Sequence, residues 1–224
     1  GRSDLYLVMA RTGGAGPRGI SSFLVEAGTP GLSYGGQEQK MGWNSQPTCE
    51  VRFDSCRVPA GNRLGAEGEG FKIAMAGLDG GRVNIAACSL GGAAAALARA
   101  RTYAGEREQF GRPLADFQAT QFKLADMATE LEAARLLTWK AAAAMDAADP
   151  ERTVACAMAK RFATDVGFRI VDEALQLFGG YGYIRDYGIE RLLRDLRVHR
   201  ILEGTNEIMR LIIARRLLAD GARV

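Results

Sequence analysis

The sequence predicts a mainly α protein in which an antiparallel β segment is followed by an antiparallel four-helix bundle. Two observations predict it. Before about residue 64, apolar residues alternate or run briefly between glycine- and proline-rich breaks. From Gly70 onward they recur at three- and four-residue steps over long stretches. At 224 residues and 47% hydrophobic composition, the chain has enough apolar material for one large domain or two small ones. The change of period divides it into residues 1–69 and 70–224.

Leu5 to Ala10 and Ile20 to Val25 are short apolar runs that read as strands. In Thr48 to Asp54, Cys49, Val51 and Phe53 alternate with Glu50, Arg52 and Asp54, so one face is expected buried and the other wet. Gly13 to Pro17 and Gly28 to Gly31 mark loops. Phe71 to Glu106 is an alanine-rich helix that Gly80-Gly81 and Gly91-Gly92 weaken. Phe117 to Ala148 follows, with Leu124, Met127, Leu131 and Ala134 on one stripe, and Asp149-Pro150 stops it. Glu151 to Leu177 carries Met158, Phe162, Val166, Ile170 and Ala174 on one face, and Glu207 to Leu218 is the last helix. Long helices with short connections imply the bundle, and the large side chains on these stripes are its core.

Composition narrows the function classes. A net charge of +3 from 29 basic and 26 acidic residues does not supply the clustered basic footprint of a nucleic-acid binder. Arg191 to Arg200 is basic but broken by Asp195 and by apolar residues, as on a solvated or subunit-facing helix. Cys49, Cys56, Cys88 and Cys156 show no metal-ligand spacing and read as free thiols, which suits a reducing compartment. No run of about 18 apolar residues is evident, so no membrane span is expected.

The chemistry concentrates in Leu202-Glu203-Gly204-Thr205-Asn206-Glu207-Ile208-Met209-Arg210, where a carboxylate stands at a glycine turn before an amphipathic helix. A carboxylate among apolar side chains has its charged form disfavoured and becomes a better proton acceptor near neutral pH. The alternative is that Glu203 closes one helix while Thr205 or Asn206 caps the next. Asp79 and Arg82 are three apart and share a helix face, as a surface ion pair or as ligand contacts. His199, the single histidine, reads as structural.

Together with Gln176 to Tyr183 and Arg107-Glu108-Gln109-Phe110-Gly111, the Glu203 segment resembles the acyl-CoA dehydrogenase family in order and separation of motifs. The resemblance extends over essentially the whole chain. Met41 to Thr48, Leu78 to Arg82 and Val198 to Glu203 place it nearest the branch that acts on isobutyryl-CoA. It implies that the chain begins within the family's middle β domain and continues through its C-terminal bundle. It also implies FAD as hydride acceptor, because no side chain accepts hydride, and Glu203 as the base that removes the α proton. Some branches carry the base at the position of Gly81, which has no side chain to offer.

By the same resemblance, Asp79, Gly80, Gly81, Arg82, Gly204 and Arg215 are expected at the acyl-CoA. Arg107, Phe110, Phe117, Gln118, Gln176, Leu177, Phe178, Gly179, Gly180, Thr205, Asn206 and Glu207 are expected at FAD. No metal is expected. Electron-transfer flavoprotein is the implied electron acceptor and a homo-tetramer the implied assembly, with neither nucleic acid nor membrane as partner. The expected location is a bacterial cytoplasm ahead of the mitochondrial matrix, and the expected pathway is valine breakdown. Rival expectations are an acyl-CoA oxidase on the same fold, or a non-catalytic assembly or DNA-binding relative.

Overall fold

The computed structural model describes residues 3–219. They fall into two compact units, residues 3–40 with 44–78 and residues 41–43 with 79–219.

In the first unit, β1 (Leu5–Arg11) pairs antiparallel with β2 (Ile20–Glu26) in the register Leu5 opposite Glu26 and Arg11 opposite Ile20. β3 (Leu32–Gln37) pairs antiparallel with β4 (Cys49–Phe53), and β5 (Arg63–Leu64) adds to the free edge of β2. Both apolar runs are therefore strands. The β1 run is not covered on both sides, however, since its side chains alternate and Leu5, Leu7 and Met9 are exposed. Phe53, expected on the buried face of its strand, is also exposed. β3 carries little strand signal in sequence, because Gly35-Gly36 interrupts its pattern where the β3–β4 register shifts.

α1 (Gly70–Glu106) runs unbroken through both glycine pairs. In the second unit a short hairpin of β6 (Glu108–Gln109) and β7 (Arg112–Pro113) precedes α2 (Gln118–Asp146) and α3 (Arg152–Phe178). Then come α4 (Gly180–Tyr183), α5 (Ile189–Arg197) and α6 (Asn206–Leu217). Asp149 makes the α2–α3 turn, its carboxylate accepting the Glu151 N–H at 2.7 Å, with Ala148 at φ 48°. So short a link makes α2 and α3 antiparallel neighbours. The predicted stripes meet: Ala86 and Ala93 of α1, Met127, Leu131 and Ala134 of α2, and Ala163, Val166 and Ile170 of α3 form one core. A second core joins Ala96 and Ala100 to Val171, Ala174, Ile189 and Leu196. Burying a side chain such as Ile170 contributes about 1.5–3 kcal/mol.

α1 is long and apolar enough to cross a membrane by length and composition. Alanine and glycine make it so, and the fold uses them for close packing, with Ala86, Ala93, Ala96, Ala100 and Ala104 fully buried. α5 is a separate helix packed on α3 through buried Ile189 and Leu196.

Candidate active site

The site in the second unit starts on α1. Arg82 Nη1 donates to Asp79 Oδ1 at 2.7 Å, and Thr153 Oγ1 of α3 donates to Asp79 Oδ2 at 2.6 Å. This is not a surface ion pair, because Asp79 and Arg82 are only 6% and 5% exposed. Arg82 Nε is buried without a partner among the described residues.

Between them on the chain, Gly80 and Gly81 behave differently. A Cβ on Gly80 would meet nothing within 4 Å, whereas one on Gly81 would lie 2.7 Å from Glu203 Cδ and nearer still to Oε2. The absent side chain of Gly81 is thus the space that the Glu203 carboxylate fills. That carboxylate is carried by two successive left-handed residues, Glu203 at φ 55° and Gly204 at φ 87°. The first is strained for a residue with a side chain, and such strain persists only where surrounding structure enforces it.

Enforcement comes from α3 and α6. Lys160, fully buried, donates through Nζ to Gly204 O at 2.7 Å and to Asn206 Oδ1 at 2.9 Å. Asn206 Nδ2 in turn donates to Thr164 Oγ1 and Asp165 Oδ1, each at 2.9 Å. Thr205 caps α6 by accepting the Ile208 N–H at 3.4 Å. The two sequence readings of this turn are therefore compatible, since Thr205 caps the helix while Glu203 stands free of the cap. Asn206, expected at FAD, has its amide committed inside the protein.

Glu207 is exposed on the first turn of α6. Its own backbone N–H, the Thr205 hydroxyl and Arg210 hold its carboxyl below the ordinary carboxylate range. Arg215 is exposed and makes no ion pair among the described residues, while Arg216 beside it is held by Glu151 through contacts of 2.6–2.9 Å.

A second feature is a cleft of about 540 Å³ that brings together Arg107, Gln176, Leu177, Phe178, Gly179 and Gly180 from the expected FAD set. Tyr103 stacks on Phe178 at 4.2 Å between ring centroids, and the Arg107 guanidinium lies over Tyr181 at 5.5 Å. Arg107 is the one charged residue in its lining, so the cleft suits an anionic, aromatic ligand such as a flavin nucleotide. Phe110, Phe117 and Gln118 do not line it. They gather at the β6–β7 hairpin, where Arg112 lies 4.1 Å over the Phe117 ring and Phe110 is 92% exposed.

His199, read as structural, has its Nε2 buried without a partner among the described residues. It is buried edge-on to Trp43, with Nδ1 2.7 Å from Ser89 Oγ, and burial pushes its pKa down to about 4. Sequence reasoning missed Lys160, Thr153 and Thr164. A signal existed: Cys156, Lys160 and Thr164 form a column at four-residue steps beside the apolar stripe of α3.

The chain belongs to the acyl-CoA dehydrogenase family. Residues 68–218 match the family model for the acyl-CoA dehydrogenase C-terminal domain, and residues 1–56 match that for the middle domain. Among particular relatives, the chain is 59% identical to mitochondrial isobutyryl-CoA dehydrogenase of Dictyostelium discoideum over 98% of its own length and 53% of that protein's. The solved structure of butyryl-CoA dehydrogenase from Megasphaera elsdenii superposes with a TM-score of 0.95 at 49% identity, over 97% of this chain and 57% of that one. A chain from work on the electron transferring flavoprotein of Acidaminococcus fermentans superposes with a TM-score of 0.96 at 50% identity, over 98% and 58%. The chain thus spans a little over half the length of these relatives.

Proposed function

We propose that this chain is the middle-to-C-terminal portion, residues 1–69 and 70–224, of an FAD-dependent acyl-CoA dehydrogenase that desaturates a short branched acyl-CoA, isobutyryl-CoA foremost. The observation that carries the reading is the Glu203 carboxylate held on a left-handed turn over the side-chain-free face of Gly81. In that role Glu203 Oε accepts the α proton of the acyl thioester. Arg82, whose Nε lacks a partner, and exposed Arg215 supply positive charge for the CoA portion. Arg107 and the exposed backbone of Gly179 and Gly180 would hold the flavin nucleotide in the 540 Å³ cleft. Bound FAD supplies the acceptor for the β hydride. Electron-transfer flavoprotein as oxidant, in keeping with the name of one structural relative, and a homo-tetrameric assembly, implied by the family resemblance, complete the proposal. The four cysteines are free, which suits either a bacterial cytoplasm or a mitochondrial matrix.

Gly81→Ala tests the geometry. Alanine gains about 1 kcal/mol over glycine in a helix interior, and the carboxylate it meets is the mobile end of a side chain. Folding stability is therefore expected to hold or rise, while displacement of the base slows flavin reduction by about 10²-fold. Thermal melts and stopped-flow reduction of the full-length flavoprotein would show both; unchanged reduction would refute the placement.

The acyl group is tested by comparing isobutyryl-, butyryl- and octanoyl-CoA. A methylene in an apolar slot is worth only about 1–3 kcal/mol, so butyryl-CoA should be turned over more slowly than isobutyryl-CoA but measurably. A preference for octanoyl-CoA would reject the branched-substrate assignment.

A further inference from the structure

Lys160 is the one lysine with no exposed surface among the described residues. Burying an ammonium is expensive, and for stability alone an apolar residue of similar volume serves as well or better. The hydrogen bonds of this ammonium end on particular atoms: the carbonyl of Gly204, immediately after Glu203, and the side-chain oxygen of Asn206, the first residue of α6. Asn206 is itself tied to Thr164 and Asp165 of α3, so the Glu203–Gly204 turn is anchored to α3 from both its carbonyl and the helix that follows. A left-handed glutamate relaxes to ordinary backbone unless something holds it.

We propose that Lys160 is the positioning residue of the proton-accepting site, its ammonium fixing the Gly204 carbonyl and the Asn206 amide so that the Glu203 carboxylate stays over Gly81. The assignment rests on the reading of Glu203 as the base. In this role Lys160 acts through the turn, its ammonium being committed to Gly204 O and Asn206 Oδ1. Desolvation lowers its pKa to about 8, with Arg82 adding to that shift and Asp165, Glu207 and Glu203 opposing it. Neutral His199 is also close enough to sense its charge. The clamp is complete while the amine is protonated and weakens as pH rises through about 8.

The test reads proton transfer apart from redox chemistry. 3-Thiabutyryl-CoA has acidic α hydrogens and a sulfur in place of the β carbon, so it exchanges its α hydrogens with deuterated water but loses no hydride. In the flavin-loaded, full-length protein, Lys160→Met should bind this analogue with unaltered affinity and keep its flavin, while α-hydrogen exchange slows by about 10²-fold. Exchange at the unaltered protein's rate would overturn the proposal. Glu203→Gln run alongside separates the two readings. If it loses exchange and Lys160→Met does not, only the positioning role fails; if it exchanges normally, the base itself has been misassigned. A measurement independent of any variant's folding is the pH profile of the unaltered protein at saturating analogue. Exchange should fall as pH rises through about 8, and a flat profile across that titration would also overturn the proposal.

Discussion

Glu203→Gln in the full-length flavoprotein is expected to abolish reduction of the flavin by acyl-CoA while leaving both ligands bound. Glutamine keeps the size and hydrogen-bonding capacity of the side chain, fits the same space over Gly81 and cannot take a proton. Removing a general base typically costs ~10²–10⁴-fold, and the loss belongs in the rate at saturating substrate rather than in affinity. Glu207→Gln is the control. Glu207 shares the motif but is exposed on the first turn of α6, with Arg210 3.5 Å away. Should Glu203→Gln retain reduction and Glu207→Gln lose it, the wrong carboxylate has been assigned.

Asp79→Ala is expected to destabilise the fold by about 3–5 kcal/mol, because it strands the Arg82 guanidinium without its carboxylate. The Thr153 hydroxyl loses its acceptor as well. The intact pair contributes far less than this figure suggests, since the Coulomb gain is offset by the cost of drying both charges. Asp79→Ala combined with Arg82→Met should therefore recover most of the loss. Urea denaturation of the three proteins decides it. A single variant within 1 kcal/mol of the parent, roughly the value of an exposed pair, would mean that the site is wet rather than dry.

What sequence made legible follows the range of the forces involved. Helical periodicity and the Asp149-Pro150 break located α1, α2 and α3 to within a residue or two, because each of those signals is local. β3 stayed hidden since Gly35-Gly36 erases its alternation, and only its pairing with β4 makes it a strand. The spacing of Asp79 and Arg82 showed that they share a face, but their burial depends on α3, a sequence separation of more than seventy residues. Glu203 stood out through its motif, whereas its relation to Gly81 is purely tertiary. Lys160 was passed over because a lysine on a charged, amphipathic helix is ordinarily solvated, and nothing nearby in sequence announces the Gly204 carbonyl that it meets.

α3 carries Lys160 near its start and Gln176, Leu177 and Phe178 at its end. At 1.5 Å per residue these stations are about 24 Å apart, and each residue added or removed between them turns the far end by about 100°. The helix is therefore a ruler as well as a wall. Its residues can be exchanged wherever volume and polarity are kept, yet a single insertion between 160 and 176 would swing the Arg107 cleft about 100° out of phase with the Glu203 turn. Length variation that keeps these two stations in phase is thus confined to the connections, and drift along α3 must proceed by substitution alone.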